Sequence, residues 1–152
     1  MSNSIAIASG KGGVGKTTIA VNLSLTLTQM GTKVSLIDAD FGLANAHILL
    51  GINPKKTIRD LLKNGLSIEE IIETGPSGLK FISGGNGLID ILNIEKNSKF
   101  QLIRSLDPIQ KTTDTLMVDI PAGASENSMT FASAVDKLVI VLVSEPTSFM
   151  DA

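Results

Sequence analysis

The run GKGGVGKT at residues 10–17 most constrains what this chain can fold into. It matches the pattern G-x-x-x-x-G-K-[ST], and it lies between an apolar segment, residues 4–9, and a stretch with helical periodicity that ends at Gly31. Glycines allow successive backbone N–H groups to turn toward one anion, and the helix that follows directs its positive end to the same point. The pattern predicts a phosphate-binding loop between a first strand and a first helix.

The side chains of this loop and three acids predict a nucleotide with Mg²⁺. Lys16 would bind the β- and γ-phosphates, and the Thr17 hydroxyl would bind the metal. Asp119 ends the apolar run LMVD and would hold Mg²⁺ through water. Asp38 and Asp40 are two positions apart, so on a continuing strand both would point the same way, one to assist the metal and the other to orient water. The predicted phosphate contacts are Gly10, Gly12, Gly13, Val14, Gly15, Lys16, Thr17 and Thr18.

A dinucleotide site is the alternative interpretation of the same glycines. Gly10, Gly12 and Gly15 also fit G-x-G-x-x-G, and Asp38 lies where such a fold places its ribose-binding acid. The GKTT ending favours the phosphate loop, since a dinucleotide turn has no use for a Lys-Thr pair. A nicotinamide-dependent oxidoreductase domain remains the remote alternative.

Alternating apolar and amphipathic segments predict the fold class. Strands are expected at 4–9, 33–40, 79–85, 114–123 and 136–146, with helices between them. This order predicts an α/β fold, a doubly wound, mostly parallel sheet with helices on both faces, in a single domain over residues 1–152. The uninterrupted apolar run 138–143 predicts a central strand covered on both sides.

The helical segments carry their own signals. Ile19, Leu23, Leu27 and Met30 recur on one face of the first helix. Residues 41–51 are predicted helical, as is the stretch 99–112 around its proline. Two short segments, 57–65 and 67–75, each open with a Ser or Thr cap and an acid three positions later, and each closes on glycine. The final segment, 145–152, starts another helix, so we expect a domain truncated at its C-terminal side.

The composition excludes several function classes. The formal net charge is −2 and no basic block is present, so the sequence gives no nucleic-acid signal. Cysteine is absent, which excludes disulfides and thiolate metal sites. No stretch approaches the ~20 apolar residues of a membrane span, and no secretory signal is present. We expect a cytoplasmic protein.

Four phrases of the sequence, KGGVGKTT, LIDADFGLANAHILLG, MVDIPAG and VSEPTS, resemble the deviant-Walker P-loop ATPases of the MinD/ParA class. The resemblance runs from about Ser4 to the last residue. Within the class, DADFGLANAHILLG, GLKFISGG and EPTS are most similar to the flagellar-number regulators of the FlhG/FleN type. It implies the P-loop NTPase fold, ATP/ADP and Mg²⁺ as cofactors, slow hydrolysis, an ATP-dependent homodimer and a regulatory protein partner. It also implies that further strands and a C-terminal amphipathic membrane helix belong to a longer parent.

The resemblance implies a role for each matching residue. Lys11 would reach across the dimer to the partner's ATP, as an arginine finger does. Together with Lys16 and Asp40, which would orient the hydrolytic water, it forms the expected catalytic set. Thr17, Asp38 and Asp119 form the expected metal set, with Asp38 supporting the first switch and Asp119 the second. The alternative is a truncated nucleotide- or partner-binding module without turnover.

Overall fold

The computed structural model of the chain describes residues 3–42, 44–85, 96–144 and 150. Within these residues six strands form one sheet, in the order β3-β4-β2-β5-β1-β6. All neighbours pair in parallel except β3, which is antiparallel to β4. The strands are β1 Asn3–Ala8, β2 Val34–Asp38, β3 Glu73–Thr74, β4 Lys80–Ser83, β5 Thr115–Asp119 and β6 Lys137–Ile140. The predicted mostly parallel sheet is confirmed. The sequence analysis did not predict β3, because a strand of two residues has no recognisable pattern.

Helices connect the strands, and their bounds refine the predictions. They are α1 Lys16–Gln29, α2 Ala46–Leu50, α3 Ile58–Asn64, α4 Ile68–Ile71, α5 Lys96–Ser105, α6 Asp107–Thr112 and α7 Glu126–Ser133. Both predicted capping boxes are present, at Thr57 with Asp60 and at Ser67 with Glu70. α2 is shorter than predicted, and α4 ends before its expected glycine because the chain turns into β3. The predicted final helix falls mostly outside the described residues. No helix in the described ranges combines the length and apolar character needed to cross a membrane.

Core side chains lie on both faces of the sheet, as the doubly wound prediction requires. Successive residues of β2 point to opposite faces: Ile37 belongs to a cluster with α3 to α7, and Leu36 to a cluster with α1 and α2. In β5, Met117 and Val118 divide in the same way. Because helices cover both faces, β2 and β5 are buried along their whole length, and β1 is exposed only at Asn3.

The apolar face predicted for α1 is not the buried one. Of the four predicted residues, Ile19, Leu23 and Met30 are exposed and Leu27 is only partly buried against the core, whereas Ala20 and Ser24 are completely buried. Apolar residues lie on both sides of this helix, so the periodicity identifies a helix without selecting the face that packs. The small side chains face the sheet and allow α1 to approach it closely.

The prediction of a covered central strand at 138–143 is wrong for the described residues. β6 lies at an edge and pairs only with β1. All four of its residues are exposed, among them the apolar Leu138, Val139 and Ile140. An apolar run shows that a strand is suited to burial, but it carries no information about what covers it.

Candidate nucleotide-binding site

A cavity of about 580 Å³ lies at the edge of the sheet where the parallel strands end. One wall is the glycine loop and the start of α1, and the other is the segment that follows β2. The cavity brings together the following residues: Ser9, Gly12, Gly13, Gly15, Lys16, Thr17, Thr18, Asp40, Asn45, Ile48, Leu49 and Ala122. Clefts outside the carboxyl ends of parallel strands are the usual ligand sites of open α/β sheets.

The glycine loop leaves open space where a phosphate would approach. Gly13 and Gly15 have φ values of +79° and +92°, a conformation that L side chains rarely adopt. A Cβ at either position would meet no protein atom within 4 Å. The loop is fixed at its entry, because the Ser9 hydroxyl donates to the Lys11 carbonyl at 2.9 Å and the Gly123 N–H donates to the Ser9 carbonyl at 2.9 Å. The result is an open loop at the N-terminus of α1, where backbone N–H groups can form a cradle for phosphate.

Lys16 and Asp119 form a buried ion pair beneath this cradle. The Nζ–Oδ1 distance is 2.5 Å, and Nζ also lies 3.4 Å from Thr17 Oγ1. The second carboxylate oxygen of Asp119, Oδ2, is buried and has no hydrogen-bond partner among the described residues. A lone carboxylate oxygen near a threonine hydroxyl fits Mg²⁺, which takes few protein ligands and completes its shell with phosphate and water oxygens. The described residues contain no group of three or more acidic or histidine side chains placed to hold a metal ion.

Asp38 and Asp40 take different positions, contrary to the expectation that they point the same way. β2 ends at Asp38, whose Oδ1 accepts the Asp40 N–H at 3.1 Å, and this side-chain bond turns the chain. Asp38 is therefore completely buried, and only Asp40 lines the cavity. Asp38 Oδ2 accepts the Ala46 N–H at 3.0 Å, which holds the start of α2 against the sheet. Because both oxygens are engaged by the chain, Asp38 is not available to a ribose, which argues against the dinucleotide interpretation.

The environment of Asp38 changes its acidity. Burial raises the pKa of Asp38 from 3.8 to about 6, and repulsion from Asp119, which faces it across the β2–β5 register, acts in the same direction. The hydrogen bonds from the Ala46 and Asp40 N–H groups partly oppose this rise by stabilising the carboxylate. Two carboxyl groups thus lie side by side under the cavity, one paired with Lys16 and one paired with the backbone.

The other predicted site residues lie around the cavity. Lys11 is exposed on the loop and is not part of the lining. Gly10 borders a small apolar cavity beside α7, and Val14 packs against the core on the α1 side. The lining residues that the sequence analysis missed are Ser9, Asn45, Ile48, Leu49 and Ala122. Their shared signal is position, since each follows the carboxyl end of β1, β2 or β5.

A strand, an open glycine loop ending in Lys-Thr, a helix and an acid on the adjacent parallel strand together define a P-loop nucleotide-binding domain. The family model AAA_31, described as an AAA domain, matches residues 2–150. The chain belongs to this family.

Two kinds of relatives support this assignment. The antiactivator FleN of Pseudomonas aeruginosa is 36% identical over 148 residues, which cover 97% of this chain and 53% of that protein. The septum site-determining protein MinD from Pyrococcus horikoshii, complexed with Mg-ADP, has a TM-score of 0.86 at 28% identity, over 100% of this chain and 62% of that one. The MinC:MinD cell division protein complex of Aquifex aeolicus gives a TM-score of 0.82 at 32% identity, over 99% and 60%. The predicted resemblance to the MinD/ParA class and to its FleN-type members is confirmed. The chain spans about half the length of the curated relatives it matches.

Proposed function

We propose that residues 1–152 form the ATP-binding core of a molecular switch that hydrolyses ATP slowly to ADP and phosphate and dimerises when ATP is bound. One observation carries the proposal: a single cavity is lined by the open glycine loop, by Lys16, which pairs with the buried Asp119, and by the half-buried Asp40. The likeness to FleN and to a MinD complexed with Mg-ADP supports it.

In this proposal the nucleotide phosphates lie on the N–H groups of residues 12–18. Phosphate would compete with Asp119 for the Lys16 ammonium, which lies at the floor of the cavity. Thr17 would ligate Mg²⁺, with Asp119 Oδ2 holding one of its waters. Asp38 would act on the metal only indirectly, by fixing the turn that places Asp40 and the start of α2.

Hydrolysis would need a water in line with the γ-phosphate and positive charge opposite it. Asp40 is the carboxylate of the cavity wall, and it would orient that water. Lys11 is exposed and does not line the cavity, and in this proposal it serves the nucleotide of a second copy of the chain rather than its own. Charge supplied in this way by a partner makes hydrolysis depend on the dimer.

The cycle would control the number or placement of a cellular structure such as flagella. FleN is an antiactivator, and the MinD of Aquifex aeolicus is found in complex with MinC. By analogy, the ATP-bound and ADP-bound states of this chain would present different surfaces to a regulatory protein.

Sedimentation velocity of the 152-residue chain tests the proposal. The chain is run without nucleotide, with ADP and Mg²⁺, and with ATP and Mg²⁺, as wild type and as Lys11→Ala. Lys63→Ala, an exposed lysine near the end of α3, is the matched control. At protein concentrations below those at which the chain associates without nucleotide, the expected result is a dimer with ATP only, lost in Lys11→Ala and retained in Lys63→Ala. A monomer under every condition, with nucleotide still bound, would favour a binding module without turnover and overturn the switch.

A further inference from the structure

A second cavity, of about 650 Å³, lies at the opposite edge of the sheet from the glycine loop. It opens where β2, β4 and β5 begin, beneath the C-terminal ends of α1 and α6. We call it the amino-edge cavity. Its polar lining includes Lys33, Lys80, Lys111, Thr32, Ser77 and Thr113.

The charge of the amino-edge cavity departs from that of the whole chain. The chain has 13 basic and 15 acidic residues, yet the lining holds three lysines and no acid. Within the described ranges none of the three ammonium groups has an ion-pair partner. Asp114 is the neighbouring acid, and its Oδ2 accepts the Lys33 backbone N–H at 2.9 Å instead of pairing with an ammonium group. The cavity is therefore a concentration of positive charge in an acidic protein.

Helix ends account for only part of this charge. The C-terminal end of a helix attracts cations, and Lys111 lies in the last turn of α6. The last turn of α1 contains no basic residue. Lys33 directly precedes β2 and Lys80 begins β4, so neither belongs to a helix. At least two of the three lysines need another explanation.

The wall of the cavity has an unusual backbone. Ser77 has φ +58° and is the one non-glycine residue with positive φ in the described part of the chain. It lies beside Gly78, with φ +87°, and opposite Gly31, with φ +91°; a Cβ on either glycine would meet no atom within 4 Å. The Ser77 hydroxyl accepts a long hydrogen bond of 3.5 Å from Gln29 Nε2, which links this turn to α1. The left-handed Ser77 costs energy, and the two glycines leave room for a ligand to approach the backbone closely.

We propose that the amino-edge cavity binds a small anion that carries two linked phosphate groups. Three ammonium groups suit a multiply charged ligand, and the Thr32 and Ser77 hydroxyls can donate to phosphate oxygens, whereas the Thr113 hydroxyl already bonds to Ser35 at 2.7 Å. The concave shape favours a small molecule, since a nucleic-acid backbone requires an extended basic surface. This site uses none of the residues of the nucleotide cavity and does not depend on the function proposed above.

Titration with sodium pyrophosphate, followed by amide ¹H–¹⁵N NMR of the assigned chain in the absence of Mg²⁺, tests the proposal. Each amide reports separately, so binding at the glycine loop and at the amino-edge cavity gives distinct sets of shifts. The test variant is Lys33→Gln/Lys111→Gln, which leaves the half-buried Lys80 in place. The matched control is Lys55→Gln/Lys56→Gln, which removes two exposed lysines that do not line the cavity.

We expect saturable shifts at residues 31–33, 77–80 and 111–113 in the wild type, and weaker binding of inorganic phosphate at the same amides. Loss of two charged donors should weaken pyrophosphate binding there at least about tenfold. The control should bind as the wild type does, and the loop amides should respond equally in all three proteins. Absence of saturable shifts at the cavity, or equal weakening in both double variants, would overturn the proposal.

Discussion

Lys16 Nζ lies 2.5 Å from Asp119 Oδ1, and both side chains are removed from solvent. This pair joins the first residue of α1 to the last residue of β5, so it ties the glycine loop to the neighbouring strand. A buried ion pair contributes little net stability, but removal of one partner leaves an uncompensated charge.

Asp119→Ala should therefore lower the free energy of unfolding by about 3–5 kcal/mol, because it leaves the buried Lys16 ammonium unpaired. Urea denaturation at neutral pH measures this loss. The double variant Lys16→Met/Asp119→Leu, which replaces the pair by apolar groups, should be more stable than Asp119→Ala. A loss below about 1 kcal/mol in the single variant would mean that water reaches the pair.

The sequence correctly predicted the fold and the glycine loop, because in these segments the residues with an apolar or glycine pattern are the ones that the structure buries or bends. The GKGGVGKT run has a fixed backbone requirement, and β1, β2 and β5 are apolar because helices cover both faces of the sheet. The failures at α1 and β6 have a common cause: an apolar pattern states what could be buried, and packing decides what is buried. The different positions of Asp38 and Asp40 could not be predicted from the spacing of the two residues either, because they depend on one side-chain hydrogen bond that ends β2.

The acidity of Asp38 predicts a particular pH dependence of stability. Its pKa is about 6 in the folded protein and 3.8 is the ordinary value, so between these values the folded chain holds a proton that the unfolded chain has released. The contribution to the free energy of unfolding is thus greatest below about pH 4 and is lost as pH rises through 6. At about 1.4 kcal/mol for each pH unit, the change is about 3 kcal/mol.

Urea denaturation from pH 4 to 7 should show that Asp38→Asn removes this decline relative to the wild type. Asp136→Asn is the informative control. Hydrogen bonds from the Ser4 hydroxyl and N–H lower the pKa of Asp136, so its contribution is present at neutral pH and is lost on acidification. Asp136→Asn should therefore leave the slope between pH 4 and 7 nearly unchanged, because the contribution of Asp136 is lost only as pH falls below its ordinary pKa of 3.8. Equal slopes for wild type and Asp38→Asn would contradict the prediction.

Gly15→Ala and Gly65→Ala separate backbone strain from ligand binding. The two glycines have φ values of +92° and +67°, and a Cβ on either meets no atom within 4 Å. Both substitutions should therefore cost about 1–2 kcal/mol of stability through backbone strain alone. Only Gly15 lies in the nucleotide cavity, where the added methyl group would occupy the space of a phosphate.

Calorimetric titration with ADP and Mg²⁺ should show binding to Gly15→Ala weakened at least about tenfold, which is 1.4 kcal/mol, and binding to Gly65→Ala unchanged. Thermal unfolding should give similar losses for the two variants. If both variants lost ADP affinity equally, the effect would be one of stability, and the glycine cradle would have no special role in binding.

The exposed edge of β6 predicts concentration-dependent association of the 152-residue chain. Val139 is 41% exposed, and in the described residues β6 has no neighbour on its outer side. Unpaired backbone groups beside apolar side chains form a template for another strand, and natural edge strands carry lysine to prevent such pairing. Val139→Lys should therefore reduce association in sedimentation velocity run without nucleotide across a range of protein concentrations. Met30→Lys, at a residue that is 76% exposed beyond the end of α1, should leave association unchanged. Equal association of wild type and Val139→Lys would show that β6 is not the associating edge.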